Sequence, residues 1–252
     1  MVISTLLENL TDRLYHDKDI PGATDETDRL KFIEYLLKYS GYREMKIGLC
    51  NLFFKVAPDM SGEPVTIISS HIDTHLDITE PFIEQIGENK IIGTFDNSIT
   101  NAAVLALMLD DMLPDNVAVA FTGGEEYGLI GANDLAEYLS GNGINARIIV
   151  TDVTDRGYKE KAVASVENRC NSTGWSSYIT GELFDETPYT IHYTGNHEDD
   201  ETAAYDNYGI ECFSLCIPTK GDMHSNKGLK ARISSLIAYT RLLHLAAANL
   251  RE

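Results

Sequence analysis

Short apolar runs alternating with helix-patterned segments constrain this chain more than any other feature. Pro64-Val-Thr-Ile-Ile-Ser-Ser-His71, Val117-Ala-Val-Ala-Phe121, Arg147-Ile-Ile-Val-Thr151 and Glu211-Cys-Phe-Ser-Leu-Cys-Ile217 have the length of strands, and the first suits burial on both faces. Thr24 to Tyr39 opens on capping residues, repeats apolar positions at helical spacing and stops at Ser40-Gly41. Asn101 to Leu109, Leu129 to Leu139 and Lys227 to Leu250 also read as helices, Leu52 to Val56 as a strand, and Phe82 to Ile92 as a hairpin around Gly87-Glu88-Asn89. Strands alternating with helices of this length imply a largely parallel sheet covered on both faces. The expectation is an α/β fold, a three-layer α/β/α sandwich around a mostly parallel, mixed central sheet. With 252 residues, 43% hydrophobic content, no linker-like stretch and no internal repeat, one domain spanning 1–252 is expected.

That order of elements gathers the polar oddities on one edge. His71, Asp96, Glu125, Glu126 and Asp152 fall at or just past the carboxyl end of a predicted strand, or in the loop after it; His224 lies between the last strand and the last helix. Open α/β sheets bind ligands at this edge. Glu125 and Glu126 form the sharpest pair, because adjacent carboxylates at the end of a buried strand repel and lose hydration unless a cation lies between them. Consecutive side chains diverge, so the pair divides into one metal ligand and one free carboxylate that acts as general base on a water. His71-Ile72-Asp73 places an imidazole and a carboxylate at period two, which suits His71 as ligand and Asp73 as the group orienting it.

Taken singly, each residue has an ordinary reading as well. Asp96, Asn97 and Ser98 are all good helix N-caps, Asp152 is a strand-end cap, His224 a surface histidine and the Glu pair a solvated turn. His75 repeats the period-two spacing but falls in an expected loop, outside the ligand set. Two histidines with several carboxylates make a mixed nitrogen and oxygen donor set that suits zinc, with cobalt or manganese as substitutes.

The net charge of −19 argues against nucleic acid as a partner and favours cationic or amine-bearing ligands over polyanions. Met1 to Leu10 lacks the basic start and cleavage site of a signal peptide, and no apolar run reaches membrane-spanning length, so a soluble, cytoplasmic protein without a membrane partner is expected. Cys50, Cys170, Cys212 and Cys216 form no Cys-x-x-Cys pair and read as reduced core thiols.

In chain order, His71-x-Asp73, Asp96-Asn97, Glu125-Glu126-x-Gly128-Leu129-x-Gly131-Ala132, Asp152 and Met223-His224-Ser225 resemble the motifs of the co-catalytic metallopeptidases of the aminopeptidase type, the group that includes families M28, M42 and M20. The resemblance runs from about Val65 to the C-terminus. Asp152-Val-Thr, and Ile217-Pro-Thr followed by Met-His-Ser, look most like the glutamyl-aminopeptidase-like branch, M42. M42 enzymes carry an added domain between the first His and the bridging Asp, and M20 enzymes one before the last His; both intervals are short here, so the chain resembles the bare catalytic domain, as in M28. The resemblance implies a zinc-exopeptidase-like fold with two divalent metal ions bridged by Asp96. One ion would also bind His71 and Asp152, the other Glu126 and His224, with Glu125 as general base, Asp73 as orienter of His71 and a cis peptide bond after Asp96.

The function expected from these residues is that of a metal-dependent exopeptidase, an aminopeptidase that hydrolyses N-terminal residues of short peptides with water activated by two metals. A carboxypeptidase or dipeptidase of the same fold is one alternative, for which Arg169 and Lys220 offer cationic groups. A glutaminyl cyclase-like acyl transferase with one zinc and a non-catalytic binding module are the others. The expected partner is a small peptide substrate; the oligomeric state stays open, although the large M42 cages depend on the absent domain. Tyr15, Tyr127, Trp175, Tyr178 and Tyr205 either line a pocket or fill the core.

Overall fold

Period-two alternation along the strands sorts their side chains onto the two faces of one large sheet. The computed structural model describes residues 3–17, 27–58, 64–172, 174–194 and 200–249. In chain order these form α1 (Ile3–Thr11), α2 (Asp28–Leu37), β1 (Arg43–Ile47), β2 (Cys50–Phe54), β3 (Val65–His71), β4 (Ile83–Gly87), β5 (Lys90–Gly93), α3 (Ser98–Leu109), β6 (Val117–Thr122) and α4 (Ile130–Gly141). There follow β7 (Ala146–Thr154), β8 (Ala164–Cys170), α5 (Gly174–Ser177), β9 (Ile191–Tyr193), α6 (Thr202–Asp206), β10 (Glu211–Pro218), β11 (Lys220–Gly221), β12 (Leu229–Arg232) and α7 (Ile233–Ala248).

Eight strands make the main sheet in the order β1-β2-β6-β3-β7-β10-β8-β9. Its centre, β6-β3-β7-β10, is parallel; β2 and β8 flank that centre antiparallel, β1 runs antiparallel to β2, and β9 runs parallel to β8. Ile68, Val119, Phe121, Ile149, Phe213 and Leu215 pack on one face with α1, α2, α3 and α7. Ile67, Ala118, Ala120, Ile148, Val150 and Cys212 pack on the other with α4 and α6. The chain therefore has the expected three layers and mixed, mostly parallel sheet.

Several elements begin or end elsewhere than their periodicity predicts. Thr24 to Glu26, read as the start of a helix, lie outside the described residues; α2 itself ends at Leu37, short of Ser40-Gly41. The strand expected at Leu52 to Val56 runs from Cys50 to Phe54. The long terminal helix begins only at Ile233, because Leu229 and Ala231 are buried while Lys230 is exposed, and this alternation pairs β12 with β5. A second, four-stranded antiparallel sheet results, in the order β11-β12-β5-β4. Asn89, in the hairpin turn, takes over the start of α7: its Oδ1 accepts the Ser234 N–H at 2.8 Å. The four cysteines are free and buried, and no described helix is long and apolar enough to cross a membrane.

Candidate metal centre

Backbone features at the carboxyl edge of the sheet fix where the acidic side chains emerge. After β6, Gly124 turns the chain with φ +72° and Gly128 releases it with φ +120°, so Glu125 and Glu126 occupy one tight helical turn between two positions that favour glycine. Gly131 then lets α4 pack directly on the strand end: a Cβ there would lie 2.9 Å from backbone atoms of Gly123 and Leu49. The motif Glu-Glu-x-Gly-Leu-x-Gly thus describes a turn and a close helix approach.

Asp96 precedes α3, and its peptide bond to Asn97 is cis, as the resemblance implied. The N-cap position belongs to Asn97, which leaves the Asp96 carboxylate free to face the histidines. Asn97 Nδ2 donates to the Thr151 carbonyl at 2.8 Å. Asn101 Nδ2 donates to the His71 carbonyl at 3.0 Å, and Ser70 donates to Asn101 Oδ1 at 2.9 Å. The polar start of α3 is buried because it holds the ends of β3 and β7.

All five proposed ligands converge. His71 Nε2 lies 3.1 Å from Asp96 Oδ1 and 3.4 Å from Asp152 Oδ1; His224 Nε2 lies 3.1 Å from Glu126 Oε2 and 3.7 Å from Asp96 Oδ2. Ligand atoms about 2.0–2.1 Å from a tetrahedral ion sit roughly 3.3 Å from one another. Donor atoms of His71, Asp96 and Glu126 all lie within 4.8 Å of one another, as do those of His75, Glu126 and His224, and each Asp96 oxygen faces a different histidine. Buried Asp96 Oδ1 and Glu126 Oε1 lack hydrogen-bond partners, as expected of atoms that donate to a cation. The chemistry of the donor set fits metal binding.

Asp73 ties the halves together. Its Oδ1 lies 3.4 Å from His71 Nδ1, and its two oxygens accept the N–H groups of Glu125 and Glu126 at 3.2 Å each. Behind it, fully buried Arg29 donates to the Ile72 carbonyl at 2.8 Å and to the carbonyls of Arg13 and Leu10. Burial pulls the Arg29 pKa down to about 10, while Asp73 and Asp96 oppose that shift.

Crowded carboxylates need compensation. Burial raises Glu125 well above the carboxylate range, and Asp152, Glu126 and Asp73 add repulsion. Burial likewise raises Asp152, with Asp96 opposing its charge. His71 is held well above its ordinary pKa: burial disfavours its charge, but Asp152, Asp73 and Asp96 outweigh it. The hydrogen bond to Glu126 raises His224 to about 9. A site that retains protons in this way is one where cations can take their place.

A cavity of about 570 Å³ opens on these residues, lined also by Leu129, Arg156, Glu167, Asp200 and Met223. Neither Arg169 nor Lys220 lines it; Arg156 is its basic residue. Tyr15, Trp175 and Tyr205 are core residues, whereas the Tyr127 ring lies beside His75. Two buried features are not predicted by the sequence pattern. Glu201 accepts hydrogen bonds from Ser69, at 2.8 Å, and from Thr122, directly below the site. Asp200 accepts from Thr202 and Ser214. Both lie in an acidic stretch that resembles solvated surface, so only the small hydroxyls of Ser69, Thr122 and Ser214 within β3, β6 and β10 hint at their burial.

Solved structures share this fold. Aminopeptidase APDkam598 from Desulfurococcus kamchatkensis superposes with a TM-score of 0.71 at 13% identity, covering 98% of this chain and 94% of its own. The TET1 peptidase of Pyrococcus horikoshii, which can assemble into a tetrahedron or a large octahedral shell, gives 0.69 at 14%, over 97% and 99%. The LapA aminopeptidase of Legionella pneumophila gives 0.62 at 13%, over 99% and 72%. No curated protein matches the chain. The model of peptidase family M28 matches residues 51–236, a span that includes all five proposed ligands and both proposed catalytic carboxylates, and the chain belongs to that family.

Proposed function

We propose that this M28 peptidase is a two-metal aminopeptidase formed by one catalytic domain and acting on short peptides. The observation that carries the reading is Asp96, whose two oxygens face His71 and His224 separately. His71, Asp96 and Asp152 would hold one divalent ion, and Asp96, Glu126 and His224 the other, with zinc suited to both and cobalt or manganese as substitutes. The ions would supply Lewis acidity toward the scissile carbonyl and the attacking water. Nearby dications would also shift Glu125 toward its carboxylate form. Glu125 takes a proton from the water as it attacks and delivers it to the leaving amine. Asp73 holds the His71 ring and, through the Glu125 and Glu126 N–H groups, fixes the turn carrying base and ligand.

Aminopeptidase direction is supported by the acidic cavity, where Glu125, Asp155, Glu167 and Asp200 outnumber Arg156 and favour a free α-amine. The solved aminopeptidases of this fold agree with it. Arg156 sustains the carboxypeptidase reading, because its guanidinium is the group in the cavity suited to a terminal carboxylate. Profiling with free, N-blocked and C-amidated peptides after reconstitution with zinc, manganese or cobalt separates the two. Cleavage that requires a free N-terminus and tolerates C-amidation is expected; the opposite pattern rejects the aminopeptidase reading.

A further inference from the structure

His75 stands outside the proposed donor set, yet its ring stacks on that of His224, with centroids 4.3 Å apart and planes 7° from parallel. One of its nitrogens also lies within 4.8 Å of a donor atom of Glu126 and of His224. That proximity does not make His75 a ligand. An imidazole binds a metal along a lone pair in its own plane, and two stacked parallel planes share no point at which one ion can satisfy both rings. Nδ1 of His75 is in addition engaged by the Asp77 N–H at 3.2 Å.

His224 is the proposed ligand most in need of support. It lies between β11 and β12, and its side chain is 47% exposed, whereas His71 ends a central strand at 2%. The segment that carries His75 provides the support. Asn226 Oδ1 accepts the N–H groups of Thr79 and Glu80 at 3.0 and 3.1 Å, and Asn226 Nδ2 donates to Thr79 Oγ1 at 3.2 Å. On the other side, the Tyr127 hydroxyl accepts the Leu76 N–H at 2.8 Å and its ring lies within 19° of parallel to His75. His75 is thus braced between Tyr127, which directly follows the Glu125-Glu126 pair, and His224, which lies just before Asn226.

We propose that His75 is a positioning residue whose ring fixes the orientation of His224 toward its metal ion. The proposal rests on the two-metal reading above. It is tested by titrating metal-free wild-type protein, His75→Ala, His75→Phe and His224→Ala with zinc by calorimetry, and by recording the visible spectra of the cobalt forms. His224→Ala identifies which of two ions depends on that ring. His75→Ala should bind that same ion about tenfold or more weakly, with an altered cobalt spectrum, and leave the other ion unchanged. His75→Phe, which restores a flat ring without nitrogens, should recover wild-type affinity. Unchanged binding by His75→Ala overturns the proposal, as does equal weakening of both ions. Failure of His75→Phe to rescue also overturns it, by assigning the effect to a nitrogen. A wild-type protein that holds fewer than two ions overturns the two-metal reading and this proposal together.

Discussion

The two halves of the centre are built by different means. His71 ends a strand in the middle of the sheet, with Asp152 on the adjacent strand and Asn101 bonded to the His71 carbonyl, and all three are largely buried. His224 rides on a connection between two short strands of the small sheet, half exposed and braced by other loops. Where the sheet sets the geometry, metal binding and folding share the same bonds. Where loops set it, the metal site can loosen while the fold persists.

Replacing the residue common to both halves should have the largest effect. Asp96→Ala is expected to lose both ions by elemental analysis and to bring peptide hydrolysis down to background. A variant retaining both ions would remove Asp96 from the bridge.

The supports behind each half should then fail in distinguishable ways. Asn101→Ala removes buried hydrogen bonds to the His71 carbonyl and to Ser70, so urea unfolding should show a loss of about 1–3 kcal/mol, accompanied by weaker metal binding. Asn226→Ala acts on an exposed clamp and should change stability by only about 0.5 kcal/mol. Its metal affinity at the His224 side should still fall about tenfold. Equal stability losses in the two variants would erase the contrast between sheet-built and loop-built halves.

A last expected effect, confined to metal-free protein, concerns Glu201, buried below the centre and raised to about 7 by desolvation, with Asp152 adding repulsion. Its folded pKa exceeds its unfolded value of 4.5, so the folded state keeps a proton that the unfolded chain releases between those values. The associated stability is full below pH 4.5 and disappears as pH rises through 7. In metal-free protein, Glu201→Gln should therefore show a flatter fall in melting temperature over that window. An unchanged pH profile would show that Glu201 is ionised in the fold.

These contrasts also explain what the sequence revealed. The four central strands are legible because burial on both faces requires nearly continuous apolar residues, and their polar ends mark one edge of the sheet. The order of elements predicts that His71, Asp96, Glu126, Asp152 and His224 gather at one edge, and these side chains do lie together. β12 was missed because Leu229-Lys-Ala-Arg232 is too short to distinguish strand from helix, and its identity depends on the remote edge of β5. The Glu201 network was missed because Ser69, Thr122 and Tyr205 meet it only in three dimensions. The sequence predicts a loop at His75, where it does lie, and its stacking on His224 joins positions far apart in the chain.

The division of labour within Glu125-Glu126 is the central claim, and Glu125→Gln tests it most directly when metal content and turnover are measured on one preparation. The account predicts two ions per chain and a fall in kcat of about 10²–10⁴-fold, because the glutamine cannot accept the water's proton. Full metal content with wild-type kcat would contradict it.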